Sequence, residues 1–271
     1  MARIFITGSA DGLGHLAAKA LVDDGHEVVL HARNEKRGRE ALEKVPGAVD
    51  VLTADLSNLE ETKDLASKAN ALGPFDAVVH NAAVYDLPGD QIFAVNTLAP
   101  YVLTSLMQKP KRLVYLSSQM HEGGHSKLES LESNLSRITY SDSKLHVLML
   151  CKAVARKWTD VYANAVNPGW VPTKMGGPGA PDDLQKGFET QVWLATSDDP
   201  RAMVSGRYFF HKKETRYKHE ADDLELQERF FETVRGDERC LFSMNVGMKS
   251  SSCDHSWRIW QRVIFEHGFD G

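Results

Sequence analysis

Arg3-Ile4-Phe5-Ile6-Thr7-Gly8-Ser9-Ala10-Asp11-Gly12-Leu13-Gly14 decides the fold of this chain. The first five residues mix β-branched and aromatic side chains, as a short strand buried inside a parallel sheet does. Three glycines follow at once, and an amphipathic helix is predicted over 13–24. Strand, glycine turn and helix in that order form a context that accepts a dinucleotide. The glycines let the backbone approach a pyrophosphate and let the helix pack close to the sheet. The helix N-terminus then presents unpaired N–H groups and a positive dipole end. The spacing here is G-x-x-x-G-x-G, not the usual G-x-G-x-x-G.

Working outward, strands are predicted at 27–31, 51–56, 76–80, 112–117, 161–167 and 205–210, each but the last followed by a helical pattern. That alternation specifies a doubly wound, Rossmann-like α/β parallel sheet of about seven strands. Ligands of such sheets bind beyond the carboxyl ends of the strands. The second strand ends His31-Ala32-Arg33-Asn34 with no carboxylate. The Arg33 guanidinium suits a 2′-phosphate and favours NADP, with NAD as the second choice. Asp11 inside the glycine turn argues mildly the other way. Lys36 and Arg37 read as a solvated first helical turn. Asp55 either bonds an adenine amino group or serves as a turn residue, with Ser57 as N-cap of the next helix.

Tyr140-Ser141-Asp142-Ser143-Lys144 places a phenol and an ammonium on one helix face. A phenol titrates near 10, and a neighbouring cation stabilises its phenolate. Such a tyrosine exchanges a proton with an alcohol or carbonyl oxygen.

With the glycine turn, Asn81-Ala82-Ala83, Asn96, Ser118 and the Tyr140/Lys144 pair in this order, residues 3–213 resemble the short-chain dehydrogenase/reductase family. The resemblance implies hydride transfer between NAD(P) and a carbonyl or alcohol. It makes Tyr140 the acid/base and Ser118 the hydrogen-bond donor to the substrate oxygen. Lys144 would lower the phenol pKa and hold the nicotinamide ribose. Asn96 would fix a helix kink and a relay water. Cofactor contacts are implied for Gly8, Ser9, Asp11, Gly12, Leu13, Gly14, Arg33, Asp55, Leu56, Asn81, Ala82, Ala83, Tyr140, Lys144, Pro168, Gly169, Val171 and Thr173. The family commonly carries Asn-Asn-Ala-Gly where this chain has His80-Asn81-Ala82-Ala83, so one glycine is missing. Ser118 and Tyr140 are also farther apart than in many members. The intervening residues resemble the longer insert of retinol-dehydrogenase-like members. From Asn167 to Glu214 the chain is most similar to C-13 ketoreductases of anthracycline type.

Tyr85, Met120, His121, Gln119, Trp170 and Met175 are candidates to line a largely apolar substrate pocket. Trp170 and Met175 fit equally well as residues packed beneath a loop. His121, on a loop, is expected to be solvated and is given no catalytic role. The Gly/Pro-rich stretch 176–181 reads as a lid, with Asp182 as N-cap of a helix over 183–196. The expected reaction is NADPH-dependent reduction of an apolar ketone or aldehyde. The alternative is a regulatory module that reads NADP(H) without turnover, although such modules usually lack the Tyr/Lys pair. A nucleotide-sugar epimerase or dehydratase on the related extended fold fits less well, because its glycine spacing is normally tighter.

The chain has 271 residues with 42% hydrophobic and 25% charged side chains, ordinary for a globular domain. A net charge of −5 gives no electrostatic case for nucleic acid. No 18-residue apolar run predicts a membrane span. A first strand starting at Arg3 leaves no room for a signal peptide, so a cytoplasmic protein is expected. The three cysteines suit reduced thiols, Cys151 reads as a core thiol, and no Cys/His spacing suggests a metal site. The family is usually dimeric or tetrameric through its fourth and fifth helices, so a homodimer or homotetramer is implied. The boundary is drawn between a catalytic domain, 1–213, and a C-terminal region, 214–271, with an acidic helix over 221–234. Residues 236–271 show no clean period. They suit a subunit contact, a cap over the pocket or a disordered extension.

Overall fold

The computed structural model describes residues 1–245. Eight strands form one sheet: β1 (Arg3–Ile6), β2 (Glu27–Ala32), β3 (Asp50–Thr53), β4 (Ala77–His80), β5 (Arg112–Leu116), β6 (Tyr162–Asn167), β7 (Tyr208–Phe210) and β8 (Lys213–Glu214). Their order is β3-β2-β1-β4-β5-β6-β7-β8. The first seven are parallel, and β8 pairs antiparallel with β7. The expected parallel sheet is therefore present, with one strand more than expected. His211 and Lys212, at φ 50° and 61°, make the tight turn into β8. Neither is the Gly, Asn or Asp that marks a hairpin turn, so the sequence gives no hairpin signal here. Strand β7 begins at Tyr208 rather than 205, because Gly206 at φ 74° still belongs to the turn.

Side chains of the central strands alternate between two packed layers. Ile4, Ile6, Val28, Leu30, Val79 and Val166 face helices α1 (Gly12–Asp23), α2 (Glu35–Lys44) and α8 (Leu184–Thr196). Phe5, Val29, Val78, Leu113 and Tyr115 face α3 (Leu59–Ala71), α5 (Ala99–Leu106) and α7 (Tyr140–Lys157). Cys151 is buried in this second layer, and burial pushes its thiol up to about 12.

Two expected caps fall elsewhere. Ser57 does not cap α3. Its N–H and hydroxyl both bond the Asp55 carboxylate, and Asn58 takes the cap. Asp182 does not cap α8, because its carboxylate accepts the Trp170 N–H at 2.6 Å and Asp183 caps instead. The insert after Ser118 folds into a 3₁₀ turn (Gln119–Gly123), α6 (Leu128–Ser133) and a second 3₁₀ turn (Leu135–Arg137). Helix α4 (Gly89–Phe93) packs its Gly89 against the carbonyls of Leu135, Ser136 and Ile138, and a π-turn (Ala94–Leu98) runs from it into α5.

The C-terminal helix α9 (Leu224–Asn245) is longer than the predicted 221–234. Phe230 and Val234 are buried in the same core layer as α7, and Phe230 packs on the His146 ring at 4.9 Å. Arg156 and Lys157 at the end of α7 pair with Glu228. With the sheet and the insert, this packing leaves α7 buried from Asp142 to Cys151. Residues 246–271, including Cys253, Trp257, Trp260 and Phe265, lie outside the described residues.

Candidate functional site

The carboxyl ends of β1 to β6 open into a cleft of about 430 Å³. Gly8, Asp11, Gly12, Leu13, Arg33, Asp55, Leu56, Asn81, Ala82, Ala83, Tyr140, Lys144, Pro168, Thr173 and Met175 stand on its wall, as the sequence had grouped them. These residues come from six separate segments, and only the parallel register brings them to one edge.

The glycine turn is held from three sides. Gly8 and Gly12 have φ of 65° and 56°, which side chains rarely adopt. Asn81 reaches from the end of β4 to donate to the carbonyls of Thr7 at 2.9 Å and Gly8 at 3.2 Å. The Thr7 hydroxyl accepts the N–H groups of Asn81 and Ala82, both at 3.0 Å. Ala83, in place of the family glycine, has an ordinary negative φ, so its methyl adds no backbone strain.

His31 is a participant that spacing did not reveal. Its Nδ1 accepts the Gly8 N–H at 2.9 Å and its Nε2 faces the Ala54 carbonyl at 3.1 Å. Those partners fix a neutral tautomer, and burial pulls its pKa down to about 4. Arg37 is a second correction. It does not merely face solvent, because it lines the cleft and pairs with Asp11 at 3.4 Å. Lys174, from the loop after β6, pairs with the same carboxylate. That bond to Lys174 is the main reason the Asp11 carboxyl lies below its usual range. Asp11 thus ties the β1–α1 turn to α2 and to the β6 loop.

Several expected contact residues are placed off the cleft wall. Ser9 is fully buried, and its hydroxyl bonds Ile6 and His31. Gly14 packs under Asn81 rather than facing the cleft. Gly169 abuts Asp182, and Val171 is buried against Gly187. Asn96 is buried in the π-turn. Its carboxamide exchanges two bonds with the Val84 backbone, at 2.8 and 3.0 Å, and donates to the Ser143 hydroxyl. The kink is therefore real, while the side chain itself is fully committed. The Ser118 hydroxyl accepts the Met120 N–H at 3.2 Å, and Gln119 is exposed beyond it.

On the substrate side, Tyr85 meets Tyr140 edge-on at 4.9 Å. Trp170 is 60% exposed and its indole donates to Gly176 at 2.8 Å, so it is not packed beneath the loop. Trp170 and Asp182 clasp each other by two bonds, which pins both ends of the expected lid. His121 is not solvated; it has no exposed surface at all.

The Tyr140/Lys144 pair differs from its expected electrostatics. Lys144 Nζ donates to the Leu116 carbonyl at 2.8 Å and lies 5.2 Å from the centre of the Tyr140 ring. It covers the ring face and is not bonded to the phenol oxygen. Burial, and then the Tyr85 phenol, push the Tyr140 pKa up rather than down. Burial brings Lys144 down to about 7. The unfolded lysine holds its proton to about 10.4. Between these two values the unfolded state binds more protons, so stability rises with pH across that window. Lys144→Met is therefore expected to melt several degrees above the parent at pH 6, with the gap closing by pH 10. Calorimetry at both values checks this, and a gap independent of pH would mean that Lys144 stays charged in the fold.

The family model for short chain dehydrogenases matches residues 2–183. The chain belongs to the short-chain dehydrogenase/reductase family. It is an oxidoreductase of the kind that interconverts carbonyl and alcohol groups with NAD(P). It is 45% identical over 241 residues to an uncharacterized oxidoreductase of Emericella nidulans, covering 84% of this chain and 93% of that one. It is 28% identical to retinol dehydrogenase 14 of Mus musculus, over 78% of each chain. The fold matches a short chain dehydrogenase from Shigella flexneri solved with NADP, at a TM-score of 0.62 and 22% identity, covering 78% and 97%. Among the described residues no helix is long and apolar enough to cross a membrane, and no group of His, Cys, Asp or Glu is arranged to hold a metal ion.

Proposed function

We propose that this dehydrogenase uses NADPH to reduce an apolar ketone or aldehyde, with Tyr140 as the proton donor. The observation that carries the reading is the meeting of Tyr140 and Lys144 with the glycine turn on one cleft wall. A dinucleotide fits that wall. Gly12 has no side chain to obstruct it, and the first N–H groups of α1 lack intrahelical partners. Bound NADPH supplies the hydride.

The protein's own residues supply the rest. Tyr140 stays protonated across the physiological range because burial raises its pKa, so it is poised to donate to the forming alkoxide. Lys144, brought to about 7, gives up and regains a proton readily, which suits refilling the phenol. The Ser118 hydroxyl accepts the Met120 N–H through its oxygen, which leaves its own proton to donate to the substrate oxygen. Tyr85, Leu87, Met120 and Met175 are all exposed large apolar or aromatic side chains, which favours an apolar substrate body. Arg33 and Arg37 at the far end of the wall favour a 2′-phosphate.

Absorbance at 340 nm across a panel of apolar ketones, aldehydes and quinones tests the reading. NADPH oxidation with one or more of them supports it, and tight NADPH binding without any turnover defeats it. In the same assay Arg33→Asp is expected to lower kcat/KM for NADPH by about tenfold or more, the loss of a charged hydrogen-bond pair, while sparing NADH. Unchanged preference would place the 2′-phosphate away from Arg33.

A further inference from the structure

We propose that His121 is a positioning residue for Ser118, tying the serine's backbone to the C-terminal segment; this rests on the role of Ser118 in the proposed reaction. His121 lies in the 3₁₀ turn that starts immediately after Ser118 and is completely buried. Its Nδ1 is 2.6 Å from the Ser118 carbonyl oxygen, and its Nε2 is 3.1 Å from the backbone nitrogen of Lys218. A backbone N–H can only donate, so Nε2 is the acceptor and Nδ1 carries the proton. The Ser118 carbonyl also accepts the His121 backbone N–H at 3.1 Å. One residue therefore delivers two donors to the serine's carbonyl, from main chain and from ring. Tyr208 packs edge-on against the imidazole at 4.9 Å and holds its plane.

The far end of this link is itself anchored. Lys218 Nζ donates to the Gly124 carbonyl at 2.5 Å, and Glu220 accepts the Ser126 N–H at 3.2 Å. Tyr217 bonds Asp222 at 2.9 Å. The loop that carries Ser118 is thus clamped to residues 217–222, nearly a hundred positions away. Neither His121 nor any of residues 217–222 lines the cleft wall, so their effect on the reaction runs through Ser118. A fixed carbonyl sets the peptide plane from which the serine side chain departs. Misplacing a reacting group by about 1 Å can cost about a hundredfold in rate.

The test measures kcat, KM and NADPH affinity in full-length Ser118→Ala, His121→Ala, His121→Asn and the Ser118→Ala/His121→Ala double variant. Asparagine keeps an N–H donor near the Nδ1 position. His121→Ala is expected to lower kcat by about tenfold or more with NADPH affinity within twofold. His121→Asn should recover most of that loss. The double variant should be no slower than Ser118→Ala, because both act through one hydroxyl. Lys218→Pro gives a second route if His121→Ala does not fold. Lys218 has φ −68°, which proline adopts, so the substitution deletes the N–H donor without forcing the backbone. It should slow turnover more than Lys218→Ala, which removes only the side chain.

The proposal fails if Ser118→Ala is slow but His121→Ala and Lys218→Pro keep kcat within twofold of their references. It fails equally if the Ser118 and His121 losses multiply in the double variant. Full turnover in Ser118→Ala is a separate result: it would remove the serine's role, and this assignment with it.

Discussion

Tyr140→Phe is expected to lose turnover by about 10²–10⁴-fold, the usual contribution of a positioned general acid. The substitution deletes one oxygen atom and leaves the ring. The edge-on contact with Tyr85 and the lysine over the ring face both survive, so fold and cleft should persist. NADPH should bind with little change in affinity, as read by fluorescence titration. Stopped-flow measurement of a single turnover isolates the chemical step. The raised phenol pKa also sets the direction of the pH effect. In reduction the protonated form is the active one and is present throughout the neutral range. In alcohol oxidation the phenol must first lose its proton, so that direction should accelerate as pH rises. A Tyr140→Phe rate within a few-fold of the parent would transfer the proton-donor role to another group on the wall.

The second large effect is expected from Gly14→Ala. A Cβ at this position would stand 2.4 Å from Asn81 Nδ2 and 2.6 Å from the Gly8 carbonyl oxygen. Neither neighbour can yield cheaply. The Asn81 amide is already bonded to the carbonyls of Thr7 and Gly8, and the Gly8 oxygen belongs to the backbone of the turn. Overpacking costs about 1–3 kcal/mol, and each displaced hydrogen bond adds about 1 kcal/mol. At about 2–4 °C per kcal/mol for a domain of this size, the melting temperature should fall by about 5–15 °C. NADPH affinity should fall with it, since the methyl pushes the glycine turn away from the end of β4. Gly25→Ala is the control. Gly25 has φ 81° but nothing within 4 Å, so it reports backbone strain alone. If the two variants melt together, the close approach of α1 to β4 contributes little.

Much of the site was readable because its signals are local. The glycine turn follows its strand at once, and Tyr140 and Lys144 are separated by one helical turn. Arg33 ends a strand with no carboxylate to compete. Residues whose deciding partner is distant in sequence are not legible in this way. Arg37 looks like any exposed helical arginine until Asp11, 26 positions away, is brought beside it. Ser9 looks like a cofactor contact until β2 arrives to take its hydroxyl. His121 reads as a loop histidine until Lys218 and Tyr208 close over it. Asp182 reads as a cap of the nearest helix until Trp170 takes its carboxylate.

By itself, the sequence determined the parallel α/β class, the strand-turn-helix that faces a dinucleotide, and the Tyr/Lys helix face. Each of these follows from periodicity, backbone freedom at glycine or fixed helical spacing, which act over a few residues. Tertiary structure alone decided the charge state of Lys144, the partners of Asp11, the burial of α7 beneath α9 and the clamp on Ser118. Desolvation and hydrogen bonding depend on which groups surround an atom, and those groups are supplied here by segments tens to a hundred residues apart.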